Sequence, residues 1–285
     1  MFVPLLGAGL LVATCGVART AETSQGRYFA KKEYAPQPLP RFADLRDRLP
    51  APIFDDQPEW VRMYWKAWEL AFRNFHQPAP GSGFVSPFID AAFNQNIFQW
   101  DTCFLTMFCN VAHPLVPGIG SLDNFYAKQH PDGAICREIG RATGADFPEW
   151  VNREGRSLFS RWGWNVGPND PVIYAGREAP QPPPILTLDA LNHPILYLLE
   201  YAIGLKADAR ENALTWRLGS PARQGCERFR FNGHVVSLVA EPVAPEGKRF
   251  QVTVKSEGAF NLRLIHQGRG KSVSVKAGEQ VIPMP

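Results

Sequence analysis

Two short stretches carry most of the side chains able to do chemistry on a small polar molecule. The first is Asn94 to Asp101 (NQNIFQWD), and the second is Ser121 to Ile139 (SLDNFYAKQHPDGAICREI). Together they place Asn94, Gln99, Asp101, Asp123, Asn124, Lys128, Gln129, Asp132, Arg137 and Glu138 around Trp100. Helix caps account for a few such groups, but buried polar groups in this density must be paired with one another or face a ligand. A flat aromatic ring next to a carboxylate suits a sugar, because the ring covers the apolar face of a pyranose while the carboxylate accepts its hydroxyls. Taken alone, a Trp-Asp pair reads equally as a core ring beside a helix cap.

Other chemistries find less support. The five cysteines form no CxxC pair and the six histidines show no HxxxH spacing, so neither a metal site nor a cofactor is expected. Thirty basic and 27 acidic residues, net charge +3, are scattered rather than gathered into a basic stripe, which argues against nucleic acid as a partner. Met1 to Ala18 (MFVPLLGAGLLVATCGVA) is too short and too irregular for a membrane span. It reads as a secretory apolar region, giving residues 1–21 as a signal peptide and a secreted or periplasmic protein; a misplaced start would leave the chain cytoplasmic.

The elements that must position these residues follow from periodicity. Residues 22–57 are rich in proline and charge (YAPQPLPRF, DRLPAPIF) and predict an extended arm. Pro58 opens a helix in which Trp60, Tyr64, Ala67, Ala71 and Phe75 share a face. A second helix is expected from Phe98 to Ala112, and a third from a capping Ser121 to His130. Asp146 to Pro184 reads as loops, and Leu191 to Leu205 as a helix stopped by Gly204. From Thr215 the period changes to two, and RFRF, Asn232-Gly233 and VVSLVA form a hairpin signature followed by three more alternating runs. The last 70 or so residues, from Leu214 to Pro285, therefore predict a small antiparallel β domain.

The strings FQWDTCFLTMF, SLDNFYAKQHPDGAICREI and LTLDALNHPIL, together with LLEYAIGLKADARENALTWRL and GCERFRFNGHVVSLVAEP, resemble the bacterial six-hairpin glycosidases related to glycoside hydrolase family 63 and mannosylglycerate hydrolase, and more remotely trehalase. The resemblance implies a mainly α fold, an incomplete (α/α)6 six-hairpin toroid over residues 58–207 with a C-terminal β domain over 208–285. It also implies a carbohydrate partner, with Phe98, Gln99, Trp100, Asp101, Gln129, Asp132, Arg137 and Glu138 lining the site. The family's central acid motif and its late base segment are missing, and hydrolysis with inversion needs two carboxylates about 6.5 to 9.5 Å apart. Any catalytic group would come from Asp101, Asp132 and Glu138. Twelve barrel helices need roughly 200 residues or more, and Pro58 to Leu205 is shorter than that. Three readings stay open: an O-glycoside hydrolase, a sugar-binding remnant or internally truncated product without turnover, and a structural or interaction protein using its β tail.

Overall fold

The computed structural model describes residues 33–92, 94–131, 133–147, 191–243 and 249–284. The signal-peptide segment, Asp132 and most of the loop region before Leu191 lie outside them.

The strands from Leu205 onward build two facing sheets. They are β6 (Leu205–Asp208), β7 (Ala213–Leu218), β8 (Gln224–Phe231), β9 (His234–Pro242), β10 (Phe250–Ser256), β11 (Phe260–His266), β12 (Arg269–Val275) and β13 (Gly278–Met284). One sheet has the order β1-β8-β9-β10-β13 and the other β12-β11-β7-β6, where β1 is Ala51–Phe54. Alternate side chains leave a strand on opposite faces, so Leu214, Trp216 and Leu218 of β7, Val252 and Val254 of β10, and Leu262 and Leu264 of β11 all point into one core. At the β8–β9 turn Asn232 and Gly233 take positive φ values of 47° and 78°, the backbone that an Asn-Gly hairpin requires. The β domain is not purely antiparallel, because β7 and β11 pair in parallel.

The proline-rich arm supplies β1, which pairs antiparallel with β8 from Ala51↔Glu227 to Phe54↔Gln224. It leads into α2 (Pro58–Phe72), which begins with a proline in its first turn, where a missing N–H costs nothing. Tyr64, Ala67, Trp68 and Ala71 are the buried stripe of α2. Trp60 stays 43% exposed, and Phe75 falls beyond the helix in β2 (Phe75–His76), so the expected stripe was one turn too long at each end. α2 packs on β1 and on a π-helical segment, α5 (His193–Ala202), whose Ile195, Leu198 and Leu199 are buried. Gly204 ends that helix with φ 86°.

The arm also carries α1 (Phe42–Leu45), and short elements follow one another between α2 and α5 along the chain: β3 (Phe88–Ile89), β4 (Asn96–Phe98), α3 (Gln99–Cys109), α4 (Gly120–Ala127) and β5 (Glu138–Gly140). Phe84, Phe88, Ile97, Phe125, Cys136 and Ile139 form a small second core.

This architecture overturns the mainly α toroid. Among the described residues 35% are in strands and 28% in helices, with only five helices, and no ring of helical hairpins is present. The physical reason is that the apolar stripes of α2 and α5 are covered by the β sandwich and by each other, rather than by successive hairpins. The same β-rich make-up removes the α/α six-hairpin description that the resemblance implied. No helix among the described residues is long and apolar enough to cross a membrane.

Candidate functional site

The Trp-Asp segment is positioned by a two-stranded ribbon. β4 pairs antiparallel with β5, setting Asn96 opposite Gly140 and Phe98 opposite Glu138. One further bond, from Gln99 N to Arg137 O at 2.8 Å, carries the pairing to the point where α3 begins. Phe98 stands at the N-cap in extended conformation and supplies no side-chain cap, so the first turn of α3 presents Gln99, Trp100 and Asp101 directly from the ribbon's end. A carboxylate in the first helical turn is favoured by the positive end of the helix dipole.

Within this frame Trp100 is 49% exposed and meets Phe104 edge to face, with ring centroids 4.9 Å apart. Gln99 lies one residue before it. Its Oε1 is shut off from solvent with no donor among the described residues. Phe98, Asp101 and Arg137 are half-buried. Glu138 behaves otherwise. It is 6% exposed and accepts a 2.8 Å hydrogen bond from Asn96 Nδ2 inside the ribbon. Trp100, Asp101, Arg137 and Glu138 take part in further contacts of their own.

The ribbon thus brings Phe98, Gln99, Arg137 and Glu138 together at the start of α3. Gln129 belongs to the turn after α4, where its Nε2 donates to Gly133 O at 2.9 Å and its Oε1 is enclosed without a donor among the described residues. Asp132 lies outside the described residues. Two other groups of the polar cluster turn out to hold the chain together. Ser121 does not cap α4; its Oγ accepts from Ile89 N at 3.1 Å, while Ile119 occupies the cap. Asn124 accepts from Val85 N and Ser86 N and donates to Ser86 O, which clamps the 84–86 loop to α4.

Sequence reasoning missed two ionic groups nearby. Asp90, with no side-chain exposure, pairs with Arg141, which also donates to Gln95 Oε1 at 2.6 Å. His76 Nε2 lies 3.8 Å from Asp90 and 3.4 Å from Arg141 Nη1. Burial and then the Arg141 charge push the His76 imidazole below its usual pKa, and Asp90 only partly opposes them. The second group is His130 Nε2 at 2.6 Å from Asp146 Oδ2, beside Lys128. Burial lowers the pKa of Lys128, with Asp146 partly restoring it, and the ammonium sits 5.7 Å from the centre of the Phe84 ring. No local pattern marks these pairs, because the Arg141 partners lie 51 and 65 residues away in sequence.

Among the described residues no group of three or more His, Cys, Asp or Glu side chains is placed to hold a metal ion. In comparison with known proteins, the chain matches no family model, no curated protein and no solved structure.

Proposed function

We propose that the start of α3 binds a carbohydrate ring without hydrolysing it. The observation that carries this reading is the half-exposed Trp100 beside the half-buried Asp101 in the first turn of α3. An apolar face beside a carboxylate suits a pyranose, which offers a CH-rich face and outward hydroxyl donors.

Turnover is disfavoured because one candidate carboxylate, Glu138, has no open access to a substrate. Glu138 is enclosed and engaged by Asn96, whereas an acid and a base flanking a glycosidic bond both need access to it. Loss of one such group is typically worth about 100-fold to 10,000-fold in rate.

Titration of tryptophan fluorescence with methyl glycosides, followed by calorimetry, tests the reading. Saturable binding is expected, and Trp100→Ala should weaken it about tenfold or more, since covering a large apolar side chain is worth about 1.5–3 kcal/mol. Aryl glycosides should be cleaved no faster than in buffer. Hydrolysis abolished by Asp101→Asn would refute the absence of turnover, and no saturable binding of any methyl glycoside would refute the carbohydrate reading.

A further inference from the structure

At the far end of α3 the chain encloses a second polar space. Asn110, His113, Pro114, Arg230, Asn232 and His234 line a cavity of about 210 Å³, and none of its described lining residues is acidic. That is smaller than the roughly 300–1,000 Å³ of pockets for drug-sized ligands, and suits a single small ion or one terminal group. His113 and Pro114 form a wall shared with a neighbouring groove lined by Arg48 from the N-terminal arm.

Arg230 is the unusual member. Its Nε is shut off from solvent and has no acceptor among the described residues. The arginines close to it in sequence are paired, Arg228 with Glu227 and Arg223 with Glu241, but neither Arg230 nor Arg48 forms an ion pair among the described residues. Burial, and then the like charge of Arg48, push the Arg230 guanidinium below its usual pKa. Glu257 opposes this in part, yet its Oε2 is already taken by Val235 N at 3.1 Å. On its other side Arg230 borders a separate cavity that contains Glu200, so an anion is favoured on the hairpin side and disfavoured there. The carbonyl of Asn110 is occupied by His113 N, which limits repulsion from the end of α3.

A half-buried guanidinium without an ion pair, its Nε enclosed and lacking an acceptor, near the like charge of Arg48 and two imidazoles, is an arrangement that is unfavourable when empty. A tetrahedral oxyanion would satisfy the planar donor fork of arginine and neutralise the like charges. We propose that this cavity binds phosphate or a phosphoryl group through Arg230, with His113 and His234 as further donors and Arg48 adding its charge from the neighbouring groove. The site is separate from the start of α3 and does not depend on the carbohydrate reading.

Calorimetry on the full chain at constant ionic strength, with inorganic phosphate and with glucose 6-phosphate as probes and sodium chloride as the matched control, tests it. Saturable phosphate binding is expected, weakened about tenfold or more by Arg230→Gln, as loss of a charge-assisted hydrogen bond implies. Arg48→Gln should weaken it in the same direction, and Arg223→Gln should leave it unchanged. Tighter binding of glucose 6-phosphate than of phosphate would identify a phosphoryl group on a larger molecule as the ligand, and equal or weaker binding would identify the free ion. Arg48 is exposed, so its variant decides the matter should Arg230→Gln fail to fold. Heats no larger than those of sodium chloride, or undiminished binding by the folded arginine variants, would overturn the proposal.

Discussion

Asp90 is a carboxylate with no contact with solvent, and its place in the molecule depends on Arg141 reaching it from the far end of the β4–β5 ribbon. Taking an ion out of water is costly, and the pair repays this only while both partners remain. Asp90→Ala would leave Arg141 with the neutral partners Gln95 and His76, and a loss of about 3–5 kcal/mol in urea denaturation is expected, reduced to the extent that Arg141 can turn outward. A neutral outcome would mean that the pair is replaceable. His76 adds a pH dependence. Its folded-state pKa is depressed, so the unfolded chain binds the proton more readily, and stability is full above the unfolded value of about 6.5 and falls as pH drops through the window below it. His76→Phe should therefore flatten the fall in Tm between about pH 7 and pH 5.5 relative to the wild-type chain, and an unchanged slope would contradict this.

The elements differ in how openly the sequence declares them. Gly204 must reverse the chain from α5 into β6, with φ 86°, and a Cβ there would collide with the Arg217 carbonyl. Gly204→Ala should cost more than about 1 kcal/mol by denaturant unfolding, from positive φ and contact together. That stop was legible, as were the proline start of α2, the Tyr64-Ala67-Trp68-Ala71 stripe and the Asn-Gly hairpin, because each is a local rule read over a few residues. β2 to β5, by contrast, are only two or three residues long and have no period to read. Their pairing is set by contacts such as Phe98 with Glu138, 40 residues apart by numbering. The sequence grouped Phe98, Gln99, Trp100, Asp101, Gln129, Asp132, Arg137 and Glu138 as one sugar site, but it carried no sign that Asn96 would hold Glu138 inside the ribbon. Helical periodicity also says that α2 and α5 bury a face without saying against what, and the toroid expectation failed at that step. A stripe covered by a sheet looks the same in sequence as one covered by another hairpin.

At the scale of the whole molecule, one continuous core joins the arm, the helices and both sheets, running from Leu45 and Leu49 through Tyr64, Trp68, Ile195 and Trp216 to Met284. β1 covers the edge of β8, and the segment just before it supplies Pro50 O to the Tyr64 hydroxyl at 2.6 Å and Leu49 O to Arg228 Nε at 3.1 Å. The helical layer and the sandwich therefore cannot separate without exposing buried apolar surface and stranding enclosed donors. Trp68 and Trp216 are both fully buried, one in α2 and the other in β7, so tryptophan fluorescence reports on the two layers together. In urea, fluorescence and far-ultraviolet circular dichroism should follow a single coincident transition, as expected of one cooperative unit. Leu49→Ala, in the arm, should shift that whole transition by about 2–5 kcal/mol, as truncation of a fully buried leucine does, rather than split it. A second transition, or a Leu49→Ala effect confined to the Trp68→Phe or to the Trp216→Phe variant, would mean that the arm stabilises one layer alone and that the shared core does not couple them.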